Sequence, residues 1–83
     1  MNRDIIAVEA EPEFHLLLTF EGGIRRRVDV SKLLSFHGVF EPLRDPAYFE
    51  SVRVNAELGT VVWPNGADLC PDVLFEQSAD IGQ

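Results

Sequence analysis

The stretch FHLLLTFEGGIRRRVDV, from Phe14 to Val30, decides the fold. Phe14, Leu16, Leu18 and Phe20 alternate with His15, Leu17 and Thr19. Period two in a β-rich composition describes a strand with one face buried. Glu21-Gly22-Gly23 then breaks the pattern, and glycine reaches the backbone angles of a tight turn without steric cost. Ile24 to Val30 resumes as a second strand, so the stretch reads as an antiparallel hairpin.

Working outward, Ile6, Val8 and Ala10 alternate with Ala7 and Glu9, which predicts a strand before the hairpin, interrupted at Pro12. After the hairpin, Ser31 is placed to cap a short helical turn through Lys32, Leu33 and Leu34. Asp45-Pro46 marks a helix start, with Asp45 as cap and Pro46 at the first helical position. Val52 to Asn55 and Thr60 to Trp63 flank a Leu58-Gly59 turn and predict a second hairpin. Pro64-Asn65-Gly66 is a further turn, and Asp68 is placed to cap a last helix through Val73, Leu74 and Phe75. Hairpins in runs, with helices set apart, give an α+β fold. The expected architecture is one mainly antiparallel sheet of about five strands in two hairpin units, with two or three short helices on one face. The expected core is Ile6, Val8, Phe14, Leu16, Leu18, Phe20, Val28, Leu33, Phe40, Phe49, Val52, Val54, Val62, Trp63, Leu74 and Phe75.

The chain has 83 residues, enough for one domain spanning 1–83, with 78–83 read as a loose tail. Seven basic residues face fourteen acidic ones, a formal charge of −7. That balance opposes binding to phosphates, which depends on Lys and Arg, and suits a basic protein partner. A single cysteine, Cys70, rules out an intramolecular disulfide and fits a reducing compartment. The first ten residues carry acids and no long apolar run, and Leu16-Leu17-Leu18 is too short to cross a membrane. A cytoplasmic location is the expectation.

Three groups of residues bring a known family to view. Phe20-Glu21-x-Gly23 leads to Val28-Asp29-Val30-Ser31. Gly38-Val39-Phe40-x-Pro42-Leu43-Arg44-Asp45-Pro46-x-x-Phe49 follows. The most specific is Val62-Trp63-Pro64-Asn65-Gly66-Ala67-Asp68-Leu69-x-Pro71-Asp72-x-Leu74. Together they resemble the small bacterial family called domain of unknown function 2442, over nearly the whole chain. The resemblance implies a small α+β domain and brings no activity, cofactor or catalytic residue with it. Some members of that family resemble the downstream partner of a second short family encoded beside them, domain of unknown function 4160, in what looks like a two-component or toxin–antitoxin pair, a matter of genomic context and not of this sequence.

Candidate sites each have a structural and a functional reading. In the Trp63–Asp68 block, Trp63 packs, Asn65-Gly66 turns and Asp68 caps; alternatively Trp63, Asn65 and Asp68 form a loop that grips a partner or a small molecule, joined by Arg44 or Tyr48. On a strand, Arg25 and Arg27 share one face and Arg26 takes the other. The pair either meets phosphates or forms a charged outer face with cross-strand partners such as Glu9 or Glu21. Arg26, on the side of Ile24 and Val28, snorkels at the sheet edge or pairs with a partly buried acid. Leu17, and with it Ile5, falls opposite the expected core, either as an exposed apolar patch for a partner or under a helix. His15, His37 and Cys70 stand singly, without metal-ligand spacing, so no metal or cofactor is expected. Ser31, Ser35 and Ser51 lie in no nucleophile motif, and Asp68 and Asp72 read as cap and first-turn acids. The reading favours an accessory module that binds another protein or a second copy of itself, rather than an enzyme; the alternative is a small-molecule or enzymatic site at the Trp63–Asp68 loop.

Overall fold

The computed structural model describes residues 3–81. Strands β1 (Ile5–Glu11), β2 (His15–Phe20) and β3 (Ile24–Asp29) form an antiparallel meander. A two-residue strand, β6 (Ala79–Asp80), closes its far side in the order β1-β2-β3-β6. Strands β4 (Arg53–Asn55) and β5 (Thr60–Val62) pair as a separate hairpin. Helix α1 (Pro46–Phe49) follows a 3-10 segment over Gly38–Arg44, and helix α2 (Pro71–Gln77) precedes β6. The α+β class stands. Among the described residues the strands number six and divide between two sheets, where one sheet of about five was expected.

One face of the meander carries the core. Leu16, Leu18 and Phe20 of β2, Val28 of β3 and Ile5 of β1 are buried there, with Val30, Leu43, Phe49, Val61, Trp63, Ala67 and Leu74 packed over them. The expected alternation in β1 holds at Val8 and Ala10 and fails at Ile6, which is 55% exposed while Ile5 is in the core. The cause is a bulge. Ile5 faces Phe20 and Ala7 faces Thr19, so Ile6 is an extra residue and the inward face shifts by one. Val61 of β5 and Trp63 just after it, two apart, point inward, which leaves Val62 only half-buried.

Two expected caps fall elsewhere. The carboxylate of Asp29, not Ser31, caps the turn after β3, accepting from the Ser31 amide at 3.0 Å and the Ser31 hydroxyl at 2.6 Å. Asp68 bridges to Val62, while α2 starts at Pro71 after Cys70 with no side-chain cap. Asp45 does cap α1, accepting from the Ala47 amide at 3.0 Å. The segment expected as a loose tail is tied down as far as Asp80, because Ala79 pairs with Arg27 and Asp80 with Arg26; residues 82–83 lie outside the described residues.

The hairpin and the meander meet at Gly59. Its carbonyl accepts from the Ile5 amide at 2.9 Å, and its φ is +69°. A Cβ there would stand 2.6 Å from the Asp4 carboxylate, so no side chain fits without displacing it.

The β1–β2 connection holds two non-glycine residues in succession at positive φ, Glu13 at 63° and Phe14 at 64°. Phe14 therefore belongs to the turn and not to β2. Its ring packs against Phe36 (5.1 Å between centroids) and edge-on against Phe49 (5.3 Å), which offsets the strain of that backbone. Glu13 is exposed and has no such compensation. Glycine at 13 is thus expected to stabilise by about 0.5–1 kcal/mol, and glycine at 14 to destabilise by about 3 kcal/mol or more. Urea unfolding of Glu13→Gly and Phe14→Gly checks the opposite signs.

Candidate protein-interaction site

The Trp63–Asp68 block is used inside the molecule. The Trp63 side chain is 1% exposed, and its indole N–H donates to the Phe49 carbonyl at 3.0 Å. Asn65 works as a clasp. Its Nδ2 donates to the Val39 carbonyl at 2.8 Å, its Oδ1 accepts from the Ala67 amide at 3.1 Å, and its own amide donates to the Tyr48 hydroxyl at 2.9 Å. Trp63 therefore offers no surface to a partner, and the polar atoms of Asn65 hold the 3-10 segment and α1 against the β5 turn. Asp68 is exposed beside them. Arg44 donates to the Phe36 carbonyl at 3.2 Å, away from this block.

The arginine run divides as strand geometry requires. Arg27 forms a two-point pair with Glu11, at 2.7 and 3.2 Å, where Glu9 or Glu21 was expected. Arg25 is exposed on the same face. Arg26 turns to the core side, donating to the Ser78 hydroxyl at 2.7 Å and the Ser78 carbonyl at 2.6 Å while lying 4.4 Å over the Phe75 ring. Of the two expectations for it, snorkelling at the sheet edge or pairing with a partly buried acid, the contacts seen are an aromatic face and two oxygens of Ser78. Leu17 lies on the outer face between Glu9 and Arg27, yet only 9% of it is exposed, so it makes no open patch; Ile5 is in the core.

His15, Asp29 and Ser31 come together, but in an order that does not activate a nucleophile. The Ser31 hydroxyl donates to Asp29, and His15 Nε2 lies 3.8 Å from the other Asp29 oxygen. A serine is activated by a base that accepts its proton and is itself oriented by a third group; here the carboxylate sits between serine and histidine. Among the described residues no group of three His, Cys, Asp or Glu side chains is arranged to hold a metal.

Sequence reasoning missed a different place. Pro12, Phe14, Pro46 and Phe49 wall a pocket of about 280 Å³, and Glu11, Glu13 and Glu50 stand around it. The β1–β2 turn supplies one side and α1 the other. Phe14 reaches the pocket because its residue is held at positive φ. The local signal is Glu11-Pro12-Glu13-Phe14, an acid–proline–acid–aromatic run between two strands. Its other half lies more than thirty residues away along the chain, so no spacing in the sequence announces it.

The chain matches, over residues 5–80, the family model described as a protein of unknown function (DUF2442). It belongs to that family. The match covers the Trp63–Asp68 block, so the most specific part of the DUF2442 resemblance falls on the buried indole and the Asn65 clasp. No curated protein and no solved structure matches this DUF2442 domain. No helix among its described residues is long and apolar enough to cross a membrane.

Two tests follow from these contacts. Asn65→Ala removes two hydrogen bonds of the clasp and is expected to cost about 1–2 kcal/mol, measured by urea unfolding. The Ser31 hydroxyl beside Asp29 and the Arg27 guanidinium beside Glu11 hold both carboxyls below the usual carboxylate range. Groups with lowered folded values add stability that is present above their unfolded pKa and lost as the pH falls through the folded one. Acidification below about pH 4 is therefore expected to weaken the native chain more than a Glu11→Gln/Asp29→Asn variant; unfolding curves across that range give the comparison.

Proposed function

We propose that this domain is an accessory module that binds a basic protein. The observation that carries the reading is the pocket between the β1–β2 turn and α1: apolar walls from two phenylalanines and two prolines, with glutamates around them. Concave apolar surface with a few charges is the form a recognition site takes. The formal charge of −7 adds attraction for a basic partner and repulsion for a second copy or for nucleic acid. An antitoxin-like pairing with a small neighbouring protein is one form this reading takes. Against a small-molecule or enzymatic site at the Trp63–Asp68 loop, the indole and the Asn65 amide are already engaged within the chain.

Affinity capture of the tagged domain from its host's lysate, at low and at high salt, tests the reading. The expected result is one stoichiometric basic protein, held at low salt and released at high salt. A strictly monomeric domain that captures nothing at low salt contradicts it.

A further inference from the structure

The chemistry of the same pocket narrows what enters it; the inference rests on the reading above and specifies the group recognised. The walls come from Pro12, Phe14, Pro46 and Phe49, whose side chains carry no polar atom. The volume, about 280 Å³, falls just under the range of about 300–1,000 Å³ common for sites that enclose whole small molecules. It suits one long side chain. The pocket also includes Glu11, the last residue of β1, an edge strand of the four-stranded sheet whose other end is bonded to the second hairpin at Gly59. An edge strand offers backbone groups to an extended polypeptide.

The charges at the rim select among side chains. Glu11 is engaged by Arg27. Glu13 and Glu50 are exposed and form no ion pair among the described residues, and no lysine or arginine lines the pocket. A purely apolar occupant would desolvate two carboxylates with nothing in return, and an anionic one would be repelled. A side chain with an apolar stem and a cationic head answers both the walls and the rim. Between the two natural candidates, the guanidinium is the more weakly hydrated, pairs with carboxylates at two points and stacks on aromatic faces such as Phe14.

We propose that the pocket receives an arginine side chain of the basic partner, its stem against Phe14 and the two prolines and its guanidinium held by Glu13 and Glu50.

The test is a titration of the isotope-labelled domain, followed by amide NMR shifts, with the blocked pentapeptide Gly-Leu-Arg-Leu-Gly. Counterparts carry citrulline or glutamate in place of the arginine. The arginine peptide is expected to produce saturable shifts in residues 11–14 and 47–50. Citrulline, which keeps the shape and loses the charge, is expected to bind at least roughly tenfold more weakly, as is the arginine peptide to a Glu13→Gln/Glu50→Gln variant. The same spectra report that the variant is folded. Absence of saturable shifts up to about 10 mM peptide, equal binding of the citrulline peptide, or shifts on another face would each overturn the proposal. Lysate capture separates the two levels: a basic partner retained by the double variant removes the arginine pocket and leaves the binding-module reading intact, whereas no partner for the native domain removes the reading itself.

Discussion

The indole of Trp63, buried and hydrogen-bonded to the Phe49 carbonyl, is the contact on which the arrangement of the other elements depends. It directly follows β5, and its ring lies 5.8 Å from that of Phe49, which meets Phe14 edge-on, which in turn meets Phe36. A row of four aromatic side chains thereby connects the second hairpin, α1, the β1–β2 turn and the segment after β3. Removing a buried tryptophan typically costs about 3–5 kcal/mol, set against a net stability of about 5–15 kcal/mol for a domain. With so small a core, that single side chain decides whether the helical layer stays closed on the sheet.

The polar contacts around it set direction where packing alone does not. Asn65 joins Val39 and Ala67 through its side-chain amide and Tyr48 through its backbone N–H, so the turn after β5, the 3-10 segment and α1 are held together. On the opposite end, the Gly59 carbonyl receives the Ile5 amide and ties the second hairpin to the start of β1. With these two ties in place, Pro46 and Phe49 lie beside Pro12 and Phe14. The acidic pocket adjoins the Trp63 layer through Phe49, which touches the indole and lines the pocket, although no residue of the Trp63–Asp68 block lines it.

Much of this was legible in the sequence where structure is local. Period two gave β2 and β3 because Leu16, Leu18 and Phe20 face a core and Glu21-Gly22-Gly23 turns back on itself. Asp45-Pro46 marked α1 for the same reason: cap chemistry acts over two residues. Three things were not local. The bulge at Ile6 depends on where β1 meets β2, and a strand read alone carries no register. Asp68 resembles a cap, but its backbone is recruited to Val62 across a turn. Phe14 fits an alternating strand by type and leaves it because two distant rings reward a different backbone. The pocket was the least legible part. Trp63, Asn65 and Asp68 drew notice as a dense block, while the pocket joins residues 11–14 to residues 46–50 and exists only after folding.

That contrast carries the account's central claim: the most distinctive block of the sequence is structural, and the proposed recognition pocket lies on another face. The chain contains one tryptophan, so its fluorescence reports on Trp63 alone. The measurement is the emission maximum of the native domain and its quenching by acrylamide. A blue-shifted maximum with little quenching until the chain unfolds is the result this account predicts. A maximum like that of free tryptophan in water, quenched readily in the folded state, would place the indole on the surface and contradict it.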